Sequence, residues 1–175
     1  EGFLEYDKVV KYPFGYGLSY TDFTQELESS RMENGEITLD VKVTNTGDIA
    51  GKDVVEVYYN PPYTNGGIEK STANLIGYEK TNELKPGESQ TVTISFTAED
   101  MASYDYLENG CYVLEAGDYE ISINSDSHNV IDSVTYTVDE DIVYDEANPR
   151  STDLTAAVNQ FGYVDGHLTY LSRKD

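Results

Sequence analysis

The sequence predicts an all-β protein, a sandwich of two antiparallel sheets, and three observations lead there. Apolar and polar residues alternate with period two in segment after segment, the pattern of strands with one buried face. Glycine, proline and asparagine interrupt that alternation at the spacing of short strands. Finally, 175 residues make one domain able to remove roughly 70% of its unfolded surface from water, so no covalent staple is required.

Taken in order, Phe23 to Leu27 form the first strand, and Asn34-Gly35 marks a tight reversal after it. Ile37, Leu39, Val41 and Val43 then alternate with Thr38, Asp40 and Lys42 until Asn45-Thr46-Gly47-Asp48 breaks the run. Val54 to Tyr59 is apolar on both faces, with Glu56 the sole interruption, and reads as a central strand. The next stretch, 60–74, contains Pro61, Pro62, Gly66 and Gly67 without periodicity and reads as a long loop, a length usually functional or disordered. Ile76 to Glu79 follow, then the Pro86-Gly87 break and the set Val92, Ile94 and Phe96. Ala98 to Tyr104 suits a helical turn or two. Tyr119, Ile121 and Ile123, then Val134, Tyr136 and Val138, complete seven strands. Tyr119 opens the penultimate strand where a structural tyrosine corner would sit, its hydroxyl bonding backbone just upstream, which favours an immunoglobulin-like topology.

Beyond Val138 the character changes to a C-terminal extension. Asp139-Glu140-Asp141 and Asp145-Glu146 read as a solvated acidic connector. Ser151 is placed to cap a short helix whose Leu154, Val158 and Phe161 fall at i, i+4 and i+7, beside Ala157.

The chain holds 33 acidic residues against 11 basic ones, net −22. Such a surface repels phosphate backbones and anionic lipid, which argues against nucleic-acid and membrane partners. No apolar run approaches membrane-spanning length. The single cysteine, Cys111, precludes an intrachain disulfide and reads as a small buried side chain. On that basis a cytoplasmic setting is slightly favoured over secretion, although a secreted bacterial protein could equally lack disulfides. Glu1 opens the chain without a methionine, so it reads as an excised piece.

Chemistry is harder to find. Glycosidic hydrolysis needs two carboxylates about 5 to 10 Å apart, and none of the many acids lies in a segment that would desolvate it. His128 and His167 are far apart and lack metal-ligand partners at useful spacing. Asp139, Asp141 and Asp145 lack the glycine and distal glutamate of a calcium loop. No phosphate loop or nucleophile elbow is present. No metal or cofactor is therefore expected. Sixteen tyrosines without tryptophan suit a core or a domain interface; a glycan platform is the other reading.

Several blocks together carry a family resemblance. The run Tyr12-Pro13-Phe14-Gly15-Tyr16-Gly17-Leu18-Ser19-Tyr20-Thr21 comes first. It is followed by Val41 to Asp48, Ala50 to Tyr59, Leu75 to Thr81, Leu84 to Ser89 and Leu114 to Ile121. In this order, from Tyr12 to Val138, they resemble the fibronectin type III-like domain of glycoside hydrolase family 3 enzymes, the β-glucosidases and their relatives. The resemblance implies a fibronectin type III-like sandwich over 21–138, preceded by a segment (1–20) arriving from another domain and followed by the connector with its helix (139–175). It implies a non-catalytic accessory module, and a bacterial parent that is a retaining β-glucosidase hydrolysing O-glycosyl bonds. In that family the nucleophilic Asp lies on a (β/α)8 barrel and the acid/base Glu commonly on an α/β sandwich domain. Both domains are absent here, so no residue inherits a catalytic role. Those domains are the implied partners, and a glucoside is met only through the parent. Tyr12, Pro13, Phe14, Tyr16, Leu18 and Tyr20 would make the interdomain contact. Tyr63, Asn65, Ile68, Glu69 and Lys70 lie on the loop expected to reach towards the cleft. The close of the chain, Gly162 to Arg173, resembles a connector found where the barrel follows this module. The alternative is a carbohydrate-binding or adhesion sandwich that stands alone.

Overall fold

The computed structural model describes residues 6–155, 162–164, 166 and 172–173. Two antiparallel sheets face each other. The first is ordered β1 (Phe23–Glu33), β2 (Glu36–Asn45), β5 (Ser89–Thr97). The second is ordered β4 (Asn74–Lys80), β3 (Val54–Asn60), β8 (Gly117–Asp126), β9 (Asn129–Val138). The seven expected segments all lie on these strands, and β3 is central, as its two apolar faces require.

Alternation explains the core. On β2, Ile37, Leu39, Val41 and Val43 are wholly buried, while Thr38, Asp40 and Lys42 point away. The residues paired with them on β5 are Phe96, Ile94, Val92 and Gln90. Val55, Val57, Tyr119, Ile121 and Ile123 close the core from the second sheet. Asn34 and Gly35 both take positive φ, 52° and 79°, in the two-residue turn between Glu33 and Glu36. That is the primed turn whose twist matches the flanking strands.

A third, smaller sheet was not expected from the sequence. It comprises β6 (Ser103–Asp105), β7 (Cys111–Leu114) and β10 (Ile142–Tyr144), in the order β10-β7-β6. Two expectations are corrected by it. Of Ala98 to Tyr104, only Ala98–Met101 is helical, as a single 3-10 turn whose Asp100 carboxylate accepts the Thr97 amide at 2.9 Å; Ser103 already begins a strand. The acidic stretch after Val138 is not a solvated connector throughout. Ile142–Tyr144 pairs with β7, Tyr144 is 9% exposed, and the Asp141 carboxylate accepts the Ala116 amide at 2.6 Å. Only three residues separate acids on either side, too few for alternation to declare itself.

Further along, the Arg150 guanidinium lies 3.7 Å from the Tyr112 ring centroid and forks onto Asp153 at 2.9 and 3.0 Å. Ser151 is no helix cap. Its amide and hydroxyl donate to Glu99, residues 151–155 form turns and bends, and Leu154 is fully exposed. Ala157, Val158, Phe161 and His167 lie outside the described residues.

Candidate functional site

The described residues offer two built surfaces. One is the leading segment, the other the long loop.

The leading segment starts with a four-residue helix, α1 (Tyr6–Val9), and then crosses the outer face of the second sheet. Gly15 has φ 84°, and a Cβ built there would fall 2.2 Å from Glu56 Oε2 and 2.7 Å from the Tyr58 hydroxyl. Only glycine meets both demands, the left-handed backbone and the close approach. Either side of it, the Tyr16 amide donates to Pro13 O at 3.1 Å and the Ser127 amide donates to Phe14 O at 2.8 Å. Tyr6 stacks on His128 at 3.5 Å between ring centroids. The backbone is thereby pinned, and beneath it the Tyr58 hydroxyl donates to Glu56 at 2.7 Å. Burial pushes the Glu56 carboxyl up from its ordinary range, and pushes the Tyr58 phenol up as well.

The side chains of this pinned segment do not turn inward. Tyr12, Phe14 and Tyr16 are 62%, 67% and 44% exposed, and Leu18 and Tyr20 are 90% and 97% exposed. Pro13 is half-buried at the turn. Tyr12 and Tyr16 rings stand 5.1 Å apart. Thr21, next in line, is buried and donates to Asn45 Oδ1 at 3.0 Å. Asn45 is itself wholly buried, donating to Ile49 O and Leu84 O at 2.8 and 2.9 Å. This knot fixes where the segment joins β1.

The loop 61–73 is held at its base. Lys70 is buried, donates to Pro62 O at 2.7 Å and forms an ion pair with Glu115. Tyr63 donates to Glu69 at 3.1 Å, and Glu69 also accepts the Arg173 amide at 3.1 Å. The Arg173 guanidinium covers the Tyr63 ring at 4.3 Å. These donors hold the Glu69 carboxyl below its ordinary value, Ser172 and Arg173 first among them. Of the predicted loop residues, Tyr63, Glu69 and Lys70 thus meet at its base; Asn65 is exposed and Ile68 half-buried near the tip. The sequence reading missed Glu115 and Arg173, which reach the loop from remote positions.

Tyr119 is buried and donates to Glu115 O, four residues upstream, at 3.1 Å. Burial raises its phenol far above the usual value. Cys111 is buried and its thiol is pushed up for the same reason. Asp145 accepts the amides of Ala147 and Asn148 at 2.9 and 3.0 Å, a turn-forming role.

Residues 53–127 match the model of the fibronectin type III-like domain. A β-glucosidase of Ruminococcus albus is 39% identical over 152 residues, covering 83% of this chain and 16% of that protein. The crystal structure of a β-glucosidase from Kluyveromyces marxianus in complex with glucose superposes with a TM-score of 0.72 at 33% identity, covering 79% of this chain and 17% of that one. β-Glucosidase 3B from Thermotoga neapolitana, in complex with α-D-glucose, gives 0.68 at 35% identity, over 77% and 18%. The chain spans under a fifth of the length of these relatives, which are bacterial and fungal.

Proposed function

Because the chain belongs to the fibronectin type III-like domains of glycoside hydrolase family 3, we propose that it is a non-catalytic accessory module of a retaining β-glucosidase. It packs against the catalytic domains of its parent and stabilises them. The observation that carries this reading is the leading segment. Its backbone is anchored through Gly15 and Phe14, yet its large apolar side chains face outward. Contiguous exposed apolar surface of this kind marks an interaction site. Anchoring beforehand also lowers the entropy lost on docking. The α/β sandwich and (β/α)8 barrel domains of the resembled family are the partners of matching chemistry. The loop braced by Lys70 and Arg173 is the part we assign to reach towards the active-site cleft, with Tyr63, Asn65, Ile68 and Glu69 at its surface. Tyr119 serves as the structural tyrosine corner. The domain proper begins at Thr21 and extends at least to Tyr144, beyond the division at residue 138.

The test has two arms. Alone, the chain shows no turnover of an aryl β-glucoside above buffer; turnover abolished by one carboxylate substitution within it overturns the reading. Within the parent, Tyr12→Ser combined with Phe14→Ser lowers the melting temperature of the whole enzyme while leaving that of the isolated module unchanged. An unchanged parent would mean that the aromatic segment faces no partner.

A further inference from the structure

We infer that Asn65 is a self-modification site, its side-chain amide converted to a carboxylate by attack of the Gly66 backbone nitrogen. Asn-Gly occurs three times in the chain, at 34–35, 65–66 and 109–110. Glycine at the second position leaves its nitrogen unhindered by a side chain, so all three dipeptides carry the reacting atoms. The fold separates them.

Closing the ring brings the glycine nitrogen against the asparagine Cγ, which rotates the backbone between them away from its folded conformation. At Asn34 that rotation opposes the hairpin. Both turn residues have positive φ, Glu33 pairs with Glu36 on either side of them, and Gly35 O accepts the Ala98 amide at 2.7 Å. At Asn109 both reacting groups are engaged. Its side-chain amide donates to the buried Asp105 carboxylate at 2.8 Å, and the Gly110 amide donates to Asp105 O at 2.8 Å. Asn65 meets neither restraint. Thr64, Asn65 and Gly66 are exposed, and neither the Asn65 side chain nor the Gly66 amide makes a hydrogen bond among the described residues. One bond closes this turn, from the Gly67 amide to Thr64 O at 2.9 Å, and no strand ladder runs through it. Opening it leaves the base of the loop, where Lys70 pairs with Glu115, in place.

The chemistry balances with water alone. The Gly66 nitrogen gives up its proton and bonds to Asn65 Cγ, and the side-chain nitrogen leaves as ammonia. Water then opens the cyclic imide at either carbonyl. One opening gives an aspartate at position 65. The other gives an isoaspartate, with the chain running through Cβ and one methylene longer. Both put a new negative charge on the loop of a chain already at −22. The reaction needs no second domain, so it stands apart from the docking role.

The test is incubation of the folded chain at mildly alkaline pH, with the acid formed at each Asn-Gly followed by peptide mass spectrometry. Trypsin releases Asn65 within Asp53–Lys70, whose other asparagine, Asn60, precedes Pro61 and so has no neighbouring N–H to attack it. Acid should accumulate at position 65 about tenfold faster than at 34 or 109, the rate factor of one net hydrogen bond that must open first. An isoaspartyl methyltransferase should label this peptide, and Asn65→Gln should abolish the label. In urea the three rates should converge. Equal rates in the folded chain would overturn the proposal, as would faster conversion at Asn34 or Asn109. So would a preference for position 65 that persists undiminished in urea, or aspartate there without isoaspartate.

Discussion

At the scale of single residues, adjacent positions on one strand carry opposite consequences. Val41 is wholly buried between the sheets, so Val41→Asp places an unpaired charge in the core and costs about 3–5 kcal/mol, enough to unfold much of the protein. Asp40, on the other face, accepts from Ser29 and Thr93 at 2.7 Å each and lies 3.3 Å from Arg31. Those donors, Ser29 foremost, hold its carboxyl below the usual value. Asp40→Asn keeps one of the two acceptor oxygens, and on this solvent-facing side of the strand it shifts the denaturation midpoint only slightly. Being depressed, the Asp40 contribution is complete above the unfolded carboxylate pKa of about 3.9 and is lost as pH falls through the folded value. Glu56 runs the other way. Its raised pKa means that the folded state holds the proton more tightly, so its charge destabilises at neutral pH and the penalty fades on acidification. Glu56→Gln, which can still accept from Tyr58, should raise the melting temperature at pH 7, with the gain shrinking towards pH 4. A constant gain at both pH values would remove burial as the cause.

At the scale of elements, the small sheet changes how the C-terminal extension is understood. β10 docks Tyr144 into the core margin, and Arg150 and Ser151 then fasten to Tyr112 and Glu99. Losing Tyr144 alone gives up about 2–3 kcal/mol of apolar burial. Truncation after Val138 should therefore lower the melting temperature by about 5–10 °C, given the usual dependence for a domain of this size. Truncation after Leu154 should cost much less. Limited proteolysis gives a second reading: residues 139–150 should resist cleavage nearly as long as the strands do. Early nicking there, without loss of stability, would restore the picture of a solvated connector.

At the scale of the whole molecule, net charge sets the solution behaviour. A charge of −22 on 175 residues means self-repulsion that folding concentrates into a compact volume. Raising ionic strength towards 0.15 M shortens the screening length to about 8 Å. The melting temperature should rise with sodium chloride over that range, and a fall would show that ion pairs such as Arg31–Asp40 and Arg150–Asp153 outweigh the repulsion. The same charge supports the docking role proposed for the apolar segment Tyr12–Tyr20, because a neutral apolar patch escapes the repulsion that surrounds it.

Local pattern alone determined the seven long strands, the Asn34-Gly35 turn and the buried faces, since alternation over five or more residues and two-residue turn chemistry are properties of neighbours in the chain. The same holds for Tyr119, whose partner Glu115 is only four residues away. The leading aromatic run was legible too, as residues, though not its outward exposure. Only the tertiary structure decided that Glu56 lies under Gly15 and that Lys70 pairs with Glu115. It also decided that Ile142–Tyr144 closes a third sheet. Each of these joins segments remote in sequence, and three apolar-looking residues between acids hold too little periodicity to reveal a strand. What brings them together is burial against surfaces formed by other strands, a condition that no local window of the sequence contains.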